Sequence, residues 1–150
     1  MAKTATASRP SSANRYYPAV FMSTSELFDR DRASQALGME LLEVRPGYAR
    51  VRMRVTAAML QGHNTCHGGY VFTLADSTFA FACNSHGYAA VASGCSIEYL
   101  RPVLLDELLT AEAVETALVG RSGVYEVSVA NQAGEVVALF RGRSRRVNSA

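Results

Sequence analysis

Residues 68–85 read GGYVFTLADSTFAFACNS and are apolar on nearly every side of a helix. Val71, Phe72, Ala75, Phe79 and Ala82 fall at helical spacing, and Leu74, Ala80, Phe81 and Cys83 carry the apolar surface round the rest. Such a helix must be buried on most sides, so the rest of the chain has to cover it. His86-Gly87 supplies a stop. One residue breaks the pattern: Asp76 sits among Leu74, Ala75, Phe79 and Ala80.

The flanking sequence supplies strands to do the covering. Met39–Val44 reads as a short strand, and Arg45-Pro46-Gly47 as a turn. Tyr48–Thr56 alternates cleanly, with Ala49, Val51, Met53 and Val55 on one face and Arg50, Arg52, Arg54 and Thr56 on the other. That is an antiparallel strand with one wet face. Beyond the helix, Ala90–Leu100, Leu108–Val119, Gly123–Asn131 and Val136–Arg146 read as strands joined by Gly-containing connectors. Before them, Ser23-Thr24-Ser25-Glu26 has the form of a capping box and predicts a helix closed by Gly38. Phe28, Arg32 and Ala36 are expected on one face of it, with Asp29, Arg30 and Asp31 in solvent. The order predicts an α+β domain over 23–150, one antiparallel sheet wrapped around the central helix. Its sheet edges favour a dimer.

Composition narrows the function. The 150 residues are 49% apolar and 19% charged, an ordinary globular mixture with one core. Residues 1–22 carry Lys3, Arg9 and Arg15 and no acid, and are expected to form a flexible tail without the apolar core of a signal peptide. The body then holds 12 bases against 13 acids, which argues against nucleic acid as a partner. No apolar run is long enough to span a membrane. Cys66, Cys83 and Cys95 form no disulfide pattern and suit a reducing cytoplasm.

The candidate chemistry lies between residues 61 and 76. A carboxylate on a buried helix costs several kcal/mol unless it is paired, so Asp76 is either tied to Ser77, Thr78 or backbone, or is a catalytic base or nucleophile. Gly68-Gly69 opens the helix, where free N–H groups can hold an oxyanion, or simply marks a junction. His67 either contacts substrate or orders its own loop. Gln61 and Asn64 either bind substrate or fix the loop, and Ser93 either binds a water or is a plain strand serine. Cys66 beside His67 suggests a thiol nucleophile, but neighbours on a chain seldom reach attack geometry. His63, Cys66 and His67 lack a fourth zinc ligand. Phe72, Phe79, Phe81 and Tyr99 are candidates for an acyl pocket or for core. Fourteen of the 15 bases are arginine, suited to phosphate or to solvated strand faces.

Helix geometry sets a further condition. Gly68 and Asp76, eight residues apart, lie about 12 Å apart along one axis. An oxyanion donor and an attacking group must both come within about 3–3.5 Å of one carbonyl. If both residues act, the start of one helix must face Asp76 of a second copy.

These residues carry a resemblance. GHNTCHGGYVFTLADSTFAFACNSHG, ASGCSIEYLRP and RSGVYEVSVANQAGEVVALFRGRSRR closely resemble the PaaI-type phenylacetate-degradation thioesterases, hotdog-fold acyl-CoA thioesterases, from about Ser25 to Arg146. The resemblance implies the hotdog fold, dimers and often tetramers of dimers, and hydrolysis of aryl-, phenylacetyl- or hydroxyphenylacetyl-CoA thioesters; a thioester carries a good leaving group, so no cofactor or metal is expected. It implies Asp76 as nucleophile or general base, the Gly68 N–H as the group that polarises the carbonyl, and His67 as its neighbour in support. Gln61 stands where close relatives carry asparagine. Gly69, beside Gly68, is a substrate-binding candidate, and Arg101, Arg121 and Gly123 lie in stretches that could meet coenzyme A. The alternatives are a hotdog thioesterase for medium-chain or hydroxybenzoyl-type esters, or a non-catalytic acyl-CoA-binding module.

Overall fold

The computed structural model describes residues 21–147. The tail expected over 1–22 lies, apart from Phe21 and Met22, outside the described residues. Six antiparallel strands form one sheet: β1 Glu40–Arg45, β2 Tyr48–Arg54, β3 Ala90–Tyr99, β4 Leu108–Val119, β5 Ser122–Ala130 and β6 Val136–Arg146. Their order across the sheet is β1-β2-β4-β5-β6-β3. The central helix, Gly68–Cys83, follows two short helices and is α3. It packs against all six strands. A helix is about 10–12 Å across, and six strands about 4.8 Å apart span more than twice that, so the sheet curls around α3 as expected.

The alternation in β2 is borne out. Ala49, Val51 and Met53 are fully buried, as is Val55 just beyond it. The arginines of the other face meet acids and backbone at the surface: Arg52 pairs with Glu40 (2.8 Å), Arg50 approaches Glu43 (3.9 Å), and Arg54 donates to the Asp106 carbonyl (2.9 Å). α3 ends three residues before the expected stop. Asn84 caps it, donating to the carbonyls of Ala80 (2.9 Å) and Ala90 (3.0 Å), and Gly87 takes a left-handed φ of 85° on the way into β3.

The first helix departs from expectation. The capping box at Ser23 forms, but the helix breaks at Asp31 into α1, Thr24–Arg30, and α2, Arg32–Ala36. Asp31 is not free in solvent; its carboxylate accepts from the Ser34 N–H (2.9 Å) and hydroxyl (2.6 Å) and starts the second helix. The break removes the shared face: Phe28 packs edge-on against Phe81, whereas Arg32 and Ala36 are exposed.

Gly142 on β6 lets α3 approach the sheet. A Cβ there would lie 2.8 Å from three ring atoms of Phe79. Overpacking of that kind costs about 1–3 kcal/mol. Gly142→Ala is therefore expected to lower the urea midpoint by that amount of stability, with an unchanged m-value.

Candidate active site

The loop before α3 folds upon itself. Gln61 Nε2 donates to Thr65 Oγ1 (2.7 Å) and its Oε1 accepts from the His63 N–H. Both ends of that amide serve the loop. Asn64 is exposed with a φ of 61°, a left-handed turn residue. His67 is the N-cap of α3, and its Nδ1 accepts the Gly69 N–H (2.9 Å). The Tyr70 N–H returns to the His67 carbonyl (3.0 Å). Among the described residues the Gly68 N–H meets no acceptor. Of the two glycine amides, Gly69's is committed and Gly68's is open, at the positive end of a 16-residue helix.

Tyr99 fixes that opening. Its Oη donates to the Gly68 carbonyl (2.9 Å), and its ring lies 3.0–3.2 Å from where a Cβ on residue 68 would sit. Tyr99, 52% exposed, therefore belongs to the helix start rather than to the core. Gly68, Tyr99 and Arg101 border a common cavity of about 430 Å³.

Asp76 lies two turns further along α3. Its neighbours do not satisfy it: the Ser77 hydroxyl bonds with that of Ser34 (3.0 Å), and the Thr78 hydroxyl donates to the Leu74 carbonyl (2.7 Å). The one hydrogen-bond donor its carboxylate meets among the described residues is Cys95 Sγ, at 3.8 Å. Burial pushes the Asp76 pKa above the usual 3.8, and the Cys95 contact lowers it. The carboxylate opens on a largely apolar cavity of about 380 Å³ that includes Leu27, Phe79, Ala80, Cys83 and Ala90. Of the four aromatic candidates, only Phe79 borders this cavity. Phe81 is core, and Phe72 packs edge-on against Phe140.

A β-bulge at Ser93 organises both ends. The β3–β6 register slips between Ala92 and Gly94, and the extra residue turns the strand over. Ala90 is buried before the slip; after it Cys95, Ile97 and Tyr99 face α3. Ser93 itself is exposed and donates to the Arg143 carbonyl (3.2 Å). Its role is that of a bulge residue. The two props also measure the site. Cys95 to Tyr99 is four strand residues, about 13 Å; Asp76 to Gly68 is eight helix residues, about 12 Å. Strand and helix run antiparallel in step, and Gly68 and Asp76 stay a full site's length apart within one chain.

The remaining candidates divide. Arg101 is exposed at the Gly68 cavity. Arg121 lies in the β4–β5 turn, with Nη2 donating to the Arg146 carbonyl (2.9 Å). Gly123 is buried where a Cβ would meet Ser144 Oγ at 2.7 Å and Tyr125 at 2.8 Å, so packing requires it. Among the described residues no three His, Cys, Asp or Glu side chains gather as a metal site.

Burial raises the Cys66 thiol pKa, and its Sγ points to the His67 carbonyl (3.6 Å), not to the imidazole. A nucleophilic thiol needs the opposite shift. Cys66→Ala is therefore expected to keep turnover within about threefold of the parent, as a packing change does. Abolished turnover in a folded Cys66→Ala protein would restore the thiol mechanism.

Cys95 and the Tyr99–Gly68 bond escaped the sequence reading. Their trace is the alternation Cys95, Ile97, Tyr99, which is visible once the bulge is known.

Comparison with known proteins places the chain in a family. The Thioesterase superfamily profile matches residues 63–138. The acyl-coenzyme A thioesterase PaaI of Escherichia coli K12 is 47% identical over 121 residues, covering 81% of this chain and 86% of that protein. The structure of the E. coli PaaI protein from the phenylacetic acid degradation operon superposes with a TM-score of 0.83 at 45% identity, covering 84% of this chain and 91% of that one. A hypothetical thioesterase of Streptococcus pneumoniae TIGR4, solved with coenzyme A, superposes with a TM-score of 0.73 at 28% identity, covering 77% and 91%.

Proposed function

The chain belongs to the Thioesterase superfamily and has its hotdog fold, and from that premise we propose that it is an acyl-CoA thioesterase hydrolysing phenylacetyl-type CoA thioesters. The observation that carries the reading is a carboxylate, Asp76, that meets only one long S–H contact among the described residues, at an apolar cavity and on the same helix as an uncommitted backbone amide, Gly68.

In this reading the thioester carbonyl oxygen accepts the Gly68 N–H. His67 takes up the neighbouring amide and holds the turn, and Tyr99 braces it. Asp76 either removes a proton from the attacking water or attacks the carbonyl carbon itself. With Asp76 as base, the tetrahedral adduct collapses with cleavage of the C–S bond, and the coenzyme A thiolate takes up the proton that Asp76 removed from water. With Asp76 as nucleophile, the same collapse leaves an acyl–Asp76 anhydride, which water cleaves to release the acid and the free carboxylate, its proton passing to the thiolate. Water and thioester become carboxylic acid and free thiol. Arg101, beside the Gly68 cavity, is available to the phosphates of coenzyme A.

Gly68 and Asp76 of one chain are too far apart to serve one carbonyl, so the working unit is a homodimer with two shared sites. β3 supports this arrangement. It is an edge strand, it carries both props, and Tyr99 and Leu100 at its end are exposed. A second copy pairing antiparallel along that edge sets the start of one α3 beside Asp76 of the other.

A thiol-release assay across phenylacetyl-, hydroxyphenylacetyl-, benzoyl- and straight-chain CoA tests the activity. The expected ranking puts the arylacetyl esters first. A preference for straight chains would move the assignment to a medium-chain thioesterase, and tight binding without thiol release would make the chain a binding module.

A further inference from the structure

We infer that Cys95 is a positioning residue for the Asp76 carboxylate, its S–H fixing the orientation of that group and favouring its ionised form. The inference rests on the proposed thioesterase reading for its kinetic consequence and on geometry for the contact itself.

Three observations carry it. Cys95 Sγ is 3.8 Å from Asp76 Oδ1 and is the one hydrogen-bond donor the carboxylate meets among the described residues. The bulge at Ser93 is what turns Cys95 toward α3; without that extra residue Gly94 and Ser96 would face the helix instead. Cys95 also pairs with Gly142, the glycine on which Phe79 lies, and Phe79 is three residues after Asp76 on the same face of α3. The packing that fixes Phe79 against β6 thus fixes the approach of Asp76 to β3.

The chemistry suits a standing donor. Partial burial, then the charge of Asp76, push the Cys95 thiol up to about 11, so it keeps its proton throughout the working range. Cys83, the other titratable group near Asp76, is pushed up to about 12 by burial and is likewise neutral. Among the described residues, α1 and the segment before it bring only Leu27 and Met22 to the cavity, and the start of β3 only alanines and Val91. Arg141 and Arg143, beside Cys95 in β6, alternate to the opposite face of the sheet, where Arg141 pairs with Glu126. Among the described residues no fixed positive charge therefore opposes the desolvation of Asp76, and the weak S–H donor is what they supply.

Two measurements test this. In Cys95→Ala the acid limb of the kcat/KM profile is expected to move to higher pH. Below the parent's acid midpoint its turnover should fall about threefold relative to the parent, the effect of losing one modest hydrogen bond to the ionised form, and the deficit should narrow as pH rises past both midpoints. Cys95→Ser, which keeps a donor, should recover part of the loss and guards against a packing artefact. In parallel, the carboxyl carbon of Asp76 in ¹³C-aspartate-labelled protein, identified by its absence in Asp76→Asn, should titrate at a higher midpoint in Cys95→Ala than in the parent. Coincident titration curves and coincident acid limbs would overturn the inference. A shifted carboxyl titration in a protein that hydrolyses no CoA thioester would leave the Cys95 contact standing and remove the thioesterase reading.

Discussion

Asp76→Ala is expected to cost about a hundredfold or more in kcat on an arylacetyl-CoA, the scale of removing a general base or a key electrostatic group. The side chain has no structural bond to lose except the long contact from Cys95, so the variant should remain folded. Asp76→Asn sharpens the test. Burial holds the Asp76 pKa above 3.8 in the folded chain, so the folded state binds that proton more tightly than the unfolded one. The stability that comes with the proton is present at low pH and is lost as pH rises through the folded-state value. At neutral pH the ionised group opposes folding, and Asp76→Asn should melt higher than the parent at pH 7, with the gain vanishing below pH 3.8. Turnover runs the other way, rising with pH as the carboxylate ionises, with its midpoint above 3.8. An Asp76→Asn protein that melts lower at pH 7 and keeps its turnover would show that the carboxylate is structural.

Gly68→Pro should be comparably damaging, at about 10²–10³ in kcat, the cost of deleting one oxyanion donor. Proline is suited to this position. It occupies the first turn of α3, where no helical bond is lost. His67 before it already has the extended φ of −61° and ψ of 131° that a following proline favours. Gly68→Ala is the control, because it meets Tyr99 with the same Cβ but keeps the N–H. It should lose far less. Mixing then locates the site. Gly68→Pro and Asp76→Asn subunits, each nearly inactive alone, should recover about a quarter of parental turnover when exchanged at equal amounts, since half the dimers are mixed and each has one intact site. Failure to recover in confirmed mixed dimers would overturn the shared site.

Local periodicity made much of this legible. The alternation in β2 and the all-round apolar surface of α3 gave a wrapped helix, and the lone carboxylate in that surface gave Asp76. What escaped was set by partners distant in sequence. Asp31 has the look of a solvated acid until Ser34 is seen closing a cap on it. Gly68 and Gly69 are indistinguishable in sequence, and it is the side chain of His67 that consumes one amide and leaves the other. β3 has no clean burial alternation, because its bulge reverses the pleat midway and one long edge lacks a strand. Cys95 was therefore one of three unremarkable cysteines until the register with β6 aimed it at Asp76.

The crossing of β3 to the far edge has a consequence for synthesis on the ribosome. β3 is made directly after α3, yet its pairing partner is the last strand, Ala90 against Arg146 and Tyr99 against Ala138. The emerging chain can close the hairpin of β1 and β2 early, but that of β4 and β5 only after β3 has waited unpaired, and β3 itself only once β6 has appeared. Long loop closures of this kind come late in folding. Cys95 and Tyr99 therefore reach Asp76 and Gly68 at the final docking step, and a nascent chain carries the Asp76 carboxylate and the start of α3 through most of its synthesis without either contact.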